Sequence, residues 1–280
     1  MNSDITIIIV TYNSEKIIPR LLDNFEKDNE DFKFIVVDNN SSDNTTNLIH
    51  NNYNFINLIK LNQNIGYGRA NNIALKKCET KYALILNPDV IIDADEIIKL
   101  KDRLIENEGA IIAPDFSNES RSSPSSILKV DWVVGAAMMF DIERVSKIGF
   151  FDENIFLFFE ETDLCKRVLD SNEKILLDCG IIAFHEEGGS STKSKKIDDF
   201  KDWHFAWSKT YYDYKYSNKT LFLTNKLLTL AILYSKLLLN YTVKNDGKID
   251  KYKFRISVLK AFLISKNAFR KDGNPKGMTE

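Results

Sequence analysis

The 280 residues predict an α/β protein, a mostly parallel sheet covered by helices, and three observations carry that expectation. Apolar runs of strand length alternate with segments of helical spacing up to about residue 200. The first runs, Ile5-Thr6-Ile7-Ile8-Ile9-Val10 and Phe34-Ile35-Val36-Val37, are continuous rather than alternating, which is the pattern of strands covered on both faces. Several runs then stop abruptly in polar loops, most sharply Ala83-Leu84-Ile85-Leu86 at Asn87-Pro88-Asp89, where proline cannot continue a central strand.

In order, the first strand ends in Thr11-Tyr12-Asn13-Ser14, and Ile18, Leu21, Leu22 and Phe25 then recur at helical spacing, with Pro19 admissible only in the first turn. The second strand closes in the cap-rich loop Asp38-Asn39-Asn40-Ser41-Ser42-Asp43. A short helix and a strand near Ile56 to Leu61 lead to the glycine-bearing loop from Asn62 to Arg69, and a helix follows that loop. The loops at Thr11, Asp38, Asn64 and Asp89 each follow a strand, so a parallel sheet gathers all four at its carboxyl edge, where α/β proteins bind ligands. A helix from Ala94 to Glu106 and a strand at Ala110–Ala113 continue the alternation. The Ser-, Asn- and Pro-rich stretch 114–126 is long for a connection and reads as a mobile binding loop. A strand from Val133 to Phe140 contains Gly135-Ala136-Ala137, small enough for another group to approach closely. The run Phe156-Leu157-Phe158-Phe159 precedes Glu160-Glu161-Thr162-Asp163 and a helix from Thr162 to Leu169. Strands near Lys174–Leu177 and Ile181–Phe184 end at His185.

From about Ile197 the character changes to aromatic and helical, which divides the chain into a body, 1–200, and a helical extension, 201–280. Leu221 to Tyr241 reads as an apolar helix interrupted by Lys226 and Lys236, with a final basic helix from about Ile249 to Phe269. The formal charge of −2 gives no case for a nucleic-acid partner, but its distribution is uneven. After Tyr241 the ten basic residues Lys244, Lys248, Lys251, Lys253, Arg255, Lys260, Lys266, Arg270, Lys271 and Lys276 outnumber Asp246, Asp250, Asp272 and Glu280. Two readings of the extension stand open: it packs on the body or on a second subunit, or it lies on an anionic membrane surface. Cys78, Cys165 and Cys179 form no paired motif, as in a reduced compartment. The first strand begins at Ile5, and no apolar run reaches the roughly 18 residues of a membrane span, so the sequence predicts a cytoplasmic protein, at most peripheral on the inner face of the membrane.

Asp89, carried just past a strand's end, is suited to hold a hard divalent cation against phosphate oxygens, although Asn, Pro and Asp are also plain turn formers. Glu160, Glu161 and Asp163 supply carboxylates for general-base work, or simply favour a helix N-terminus, with Asp163 and Arg167 an i, i+4 pair. Asn64-Ile65-Gly66-Tyr67-Gly68 lacks the spacing of a dinucleotide fingerprint.

Taken together, Thr-Tyr-Asn after the first strand, Val-Asp-Asn-Asn-Ser-Ser-Asp after the second, Asn-Ile-Gly-Tyr-Gly-Arg-Ala-Asn-Asn, Leu-Asn-Pro-Asp, Phe-Phe-Glu-Glu-Thr-Asp-Leu-Cys-Lys-Arg and Ala-Phe-His-Glu-Glu-Gly-Gly-Ser-Ser resemble glycosyltransferase family 2, most closely its bacterial rhamnosyltransferase-like branch. The resemblance covers residues 5–192 and implies a GT-A fold, a nucleotide-diphospho-sugar donor, Mn²⁺ or Mg²⁺, and inversion at the anomeric carbon. It implies Glu161 as catalytic base, where the family more often has Asp, and Asp89 and His185 as metal ligands. Thr11, Tyr12, Asp38, Arg69, Asn87 and Asp89 would bind the donor; Asn87 stands where the family's D-x-D element has its first Asp. Trp132, Glu160 and Asp163, with the 114–126 loop, are expected on the acceptor side. The expected activity is transfer of a sugar, with L-rhamnose from dTDP-rhamnose the first choice, to a glycan or polyprenyl-linked acceptor in bacterial surface polysaccharide assembly. The alternatives are a UDP-sugar hexosyltransferase and a non-catalytic nucleotide-sugar-binding protein. A nucleotidyltransferase would need a glycine-rich basic loop where Thr11-Tyr12-Asn13-Ser14-Glu15 stands.

Overall fold

A computed structural model describes residues 4–27, 29–116, 126–185 and 195–277. The elements follow in the order β1 (Ile5–Thr11), α1 (Ile18–Asp23), β2 (Lys33–Asp38), α2 (Thr45–Asn52), β3 (Ile56–Lys60), α3 (Tyr67–Leu75), β4 (Tyr82–Leu86), β5 (Val90–Ile91), α4 (Ala94–Glu106), β6 (Ile111–Asp115), β7 (Ile127–Lys129), β8 (Ala137–Asp141), α5 (Ile142–Ile148), α6 (Glu160–Asp170), β9 (Ile175–Ile182), β10 (Phe184–His185), α7 (Lys195–Lys215), α8 (Lys219–Thr242) and α9 (Asp246–Ile264). The chain forms two compact units, one from Met1–Asp152 with Glu160–Ser191, the other from Glu153–Phe159 with Thr192–Glu280.

The first unit is the α/β body, with the GT-A layout the sequence predicts. Its eight-stranded sheet runs β3-β2-β1-β4-β8-β6-β9-β7. Strands β3, β2, β1 and β4 are mutually parallel, while β8 runs antiparallel between β4 and β6. Every residue of β1 and β4 is buried, because helices cover both faces. Ile5, Ile7 and Ile9 pack with α1 and α4 on one face, and Ile8 and Val10 with α3 and α6 on the other. Each such fully buried side chain contributes about 1.5–3 kcal/mol. Pro19 sits in the first turn of α1, where its missing N–H costs nothing.

β8 starts opposite the end of β4, its antiparallel neighbour, with Ala137 opposite Leu86. Residues 133–136, expected as strand, precede it: 133 and 134 are irregular and 135 and 136 form a turn. The two strands expected near 174–184 are instead one long strand, β9, with a register shift opposite Pro114/Asp115, and then the short β10. Most of the predicted 114–126 loop, residues 117–125, lies outside the described residues, as do Glu186 to Ser191 after His185.

The second unit is built from α7, α8, α9 and the segment Glu153–Phe159. Trp203, Trp207, Phe262 and Phe269 form its core with Ile155 and Phe156. Ser208 Oγ donates to Leu157 O at 2.8 Å and Ala268 N to Asn154 O at 2.9 Å. Phe158 and Phe159 pack their rings on Phe205 of α7 while their backbones stand at φ 66° and 70°. Bulky residues seldom adopt that left-handed region, at a cost of roughly 1–2 kcal/mol each, so the aromatic contacts must offset it. Helix α6 starts immediately after, two residues earlier than the sequence predicts, which brings Glu160 and Glu161 into its first turn.

One expectation is corrected. Helix α8 is long and apolar enough to cross a membrane by length and composition, with a mean hydropathy of 1.4 and 6% of that window buried. Lys226 and Lys236 break the apolar run into pieces and lower its mean, yet the helix still averages 1.4.

Candidate active site

The carboxyl ends of β1, β2 and β4 lead to Thr11, Asp38 and Asp89, and the loops after β1, β2 and β3 are tied together. Thr11 Oγ1 donates to Asp38 Oδ1 at 3.0 Å, and Ser41 N to Asp38 Oδ2 at 2.9 Å. Asp38 is buried, and its carboxylate keeps acceptor capacity on Oδ2 beyond those bonds. Asn13 Oδ1 accepts Ser42 N at 2.8 Å, joining the loops after β1 and β2. Asn39 Nδ2 donates to Asn64 Oδ1 at 3.0 Å and its Oδ1 accepts Ile65 N at 2.9 Å, which joins the loop after β2 to the one before α3. Tyr12 stands 47% exposed beside this edge, so its ring is open to a planar ligand rather than packed in the core. Arg69 is half-buried in the first turn of α3.

Asp89 follows β4 by three residues and is buried. The two-residue strands β5 and β10 pair antiparallel, with Val90 opposite His185, and so bring together side chains 96 positions apart in the chain. Asp89 Oδ1 lies 3.3 Å from His185 Nε2, and the imidazole also meets the Phe116 ring at 5.8 Å between centroids. Two donors each about 2.1 Å from one ion and 3.3 Å apart subtend an angle of roughly 100°, compatible with octahedral or tetrahedral coordination. No group of three or more His, Cys, Asp and Glu suited to a metal occurs among the described residues. A two-donor site suits a cation whose remaining positions belong to water and substrate phosphate, as Mg²⁺ commonly binds. The residues present thus fit the expected metal. Asn87 Oδ1, two residues before Asp89, is a buried acceptor with no hydrogen-bond partner.

A short relay of contacts leads from this ledge to the acidic helix. Asn87 N donates to Ala136 O at 2.8 Å. A Cβ on Gly135 would stand 3.2 Å from Glu161 Cβ and 3.3 Å from its Cγ, so glycine is what admits that side chain. Tyr67 Oη donates to Gly135 O at 3.0 Å. Burial raises the Tyr67 phenol well above its ordinary range, and the charges of Glu160, Glu161 and Asp89 raise it further. On the other side, a Cβ on Gly68 would meet Phe151 Cβ at 3.0 Å and Glu160 Cγ at 3.2 Å.

Glu160 and Glu161 differ in environment. Glu161 is half-buried and accepts Thr162 Oγ1 at 3.0 Å. Glu160 is 2% exposed, its Oε1 has no partner, and its pKa is pushed up to about 8, first by burial and then by the charge of Glu161. At neutral pH Glu160 is therefore mostly protonated. Asp163, expected on the acceptor side, is fully buried and committed to Arg167 Nε at 2.8 Å. Arg167 in turn donates to Ile148 O at 3.3 Å and to Gly149 O and Phe150 O. That is the plain structural role of an i, i+4 pair. Trp132 is 48% exposed in the stretch before β8. The sequence did not single out Tyr67 as a support for Gly135; the small residues 135–137 marked a close approach without saying what approached.

The pattern that defines Glycosyl transferase family 2 matches residues 6–165. The low-salt glycan biosynthesis hexosyltransferase Agl10 of Haloferax volcanii is 27% identical over 222 residues, 69% of this chain and 70% of that one. The rhamnosyltransferase WbbL of Escherichia coli K12 is 27% identical over 202 residues, 58% of this chain and 75% of that one. Among solved structures, the mannosyltransferase PcManGT of Pyrobaculum calidifontis, in complex with GDP-Man and Mn²⁺, superposes with a TM-score of 0.60 at 15% identity, covering 95% of this chain and 86% of that one. At that identity the likeness concerns the fold.

Proposed function

The chain belongs to Glycosyl transferase family 2, and from that premise we propose an inverting, metal-dependent transferase that moves a sugar from a nucleotide diphosphate to a hydroxyl of a glycan or polyprenyl-linked acceptor. That it is a glycosyltransferase follows from the family; the donor, the metal and the residue roles are the proposal. L-Rhamnose from dTDP-rhamnose is the first candidate donor, supported by the likeness to a relative named a rhamnosyltransferase. A UDP-hexose is the second, since the relative matched over more of the chain is named a hexosyltransferase.

The observation that carries the reading is the 3.3 Å approach of Asp89 and His185 on a ledge linked through Ala136 and Gly135 to Glu161. Asp89 and His185 hold the cation. When bound, Mn²⁺ or Mg²⁺ supplies Lewis-acid neutralisation of the leaving diphosphate. Tyr12 lies along the base of the nucleotide, Thr11 and Asp38 fix its polar edge, and Arg69 faces the donor. Asn87 Oδ1 receives a donor hydroxyl, which gives its buried lone pairs the partner they lack. Glu161, the more exposed member of its pair, takes the proton of the acceptor hydroxyl. The acceptor oxygen forms its bond to the anomeric carbon as the carbon–phosphate-oxygen bond breaks, and the electron pair leaves with the nucleoside diphosphate. Attack in line with departure inverts the carbon.

The test is a thermal-shift screen of nucleotide sugars with and without Mn²⁺, followed by product analysis of the best hit. A stabilisation by dTDP-rhamnose that requires metal and disappears in Asp89→Asn is expected; a shift with UDP-hexoses alone overturns the rhamnose assignment. Glu161→Gln should lower kcat by about 10²–10⁴ while leaving donor affinity in place. Turnover by this variant at the wild-type rate would remove Glu161 from the role of base.

A further inference from the structure

We infer that the outer face of α8 docks flat on an anionic phospholipid surface. The helix has two unlike sides. Its inner side buries Leu233 against Ile256 and Leu259 of α9, with Leu230 and Leu237 packed on the same cluster. Its outer side exposes Leu221 at 60%, Leu228 at 63% and Leu239 at 61%, with Leu227, Ile232 and Leu238 beside them. Residues 221, 228, 232 and 239 repeat at helical spacing, so these four side chains share one stripe of the helix rather than standing as scattered exposures. A helix already packed along one side against α9 offers a lipid its other side, which fits lying in the interface better than crossing it.

Charge identifies the occupant. The 24 residues of α8 contain no Asp or Glu, and their charged side chains are Lys219, Lys226 and Lys236. Lys236 is exposed within one turn of Ile232 and Leu239, and Lys244 is exposed just past the helix end. Lys253 Nζ lies 5.6 Å from the Tyr241 ring centre at the same end, where Asp246 and Asp250 offset part of the positive charge. Tyr234 and Tyr241 add amphipathic rings, the type enriched where hydrocarbon meets headgroups. Two copies joined through this face would set its lysines against each other, whereas anionic headgroups neutralise them. The inference does not depend on donor, metal or turnover; a catalytically silent chain would bind lipid equally well.

The experiment uses the full chain, because the segment 153–159 belongs to the same unit as the helices and a truncation would strip it of its partners. Flotation with vesicles of phosphatidylcholine, alone or mixed with phosphatidylglycerol, should recover protein on the anionic vesicles, less so as salt is raised. Leu228→Asp with Leu239→Asp should lower partitioning more than about tenfold, and the milder Leu228→Gln with Leu239→Gln should lower it in the same direction. Lys236→Gln and Lys244→Gln should each lower it about fivefold on anionic vesicles and leave neutral ones unaffected. Wild-type partitioning by both leucine pairs overturns the inference. So does light scattering that shows a dimer which Leu228→Asp with Leu239→Asp converts to monomer while lipid binding persists.

Discussion

The protonation of Glu160 can be measured apart from catalysis. Its carboxyl is pushed up to about 8 in the folded protein, against about 4.5 when unfolded. Between those values the folded chain holds a proton that the unfolded chain has released, so the associated stability is complete below about pH 4.5 and is lost as the pH rises through 8. From about pH 6.5 to about pH 8 the loss amounts to about 2 kcal/mol, a few degrees of Tm for a chain of this size. Glutamine matches the neutral acid in size and does not titrate, so Glu160→Gln should hold nearly constant stability over that interval. Calorimetry of both proteins across it gives the comparison, and groups common to the two cancel. Parallel loss of stability in wild type and variant would show that Glu160 is ionised in the fold. The description of Glu160 as a protonated acid at neutral pH would then fail, and with it the reason for passing over Glu160 as the base.

Gly135→Ala puts a Cβ 3.2 Å from Glu161 Cβ and must displace that side chain by a few tenths of an ångström. It should lower kcat about tenfold with donor KM unchanged, and have no further effect in a Glu161→Gln background, where steady-state rates of the four proteins make the cycle. His204, fully buried with Nε2 2.9 Å from Lys276 O, is pushed down to about 4 mainly by burial. The unfolded chain therefore takes up a proton before the fold does, and stability present above about pH 6.5 falls by roughly 3 kcal/mol as the pH drops to about 4. His204→Phe should flatten that acid limb in chemical denaturation curves, and an unchanged limb would place the titrating group elsewhere.

The body of the sheet was legible because continuous apolar runs and abrupt polar stops are strong signals, and Asp89 was legible for the same reason. The devices that bring the site together were not. Strands β5 and β10 are two residues each, too short for any periodicity, yet they set His185 opposite Val90 and beside Asp89. Strand β7 has one half-buried and two exposed residues, and carries no apolar run to find. The start of α6 was misplaced because Phe158 and Phe159 offer no cap chemistry; their left-handed backbones end the preceding segment instead. The close approach at Gly135 was visible as a run of small residues, while its partner Glu161 lies 26 positions further along and no local pattern links them. For α8 the sequence overweighted two lysines whose stems and ammonium groups sit readily beside an apolar surface.

The chain passes between its two units at 152/153, at 159/160 and again at 191/192. A recombination event or an engineer seeking to fit this sheet with a different tail therefore faces three seams rather than one. The heptapeptide Glu153–Phe159 would have to travel with its helices, and it ends one peptide bond before the first acid of α6. Tails in such a lineage should diverge together with those seven residues, as a lock is recut with its key, while the flanking sheet changes on its own schedule.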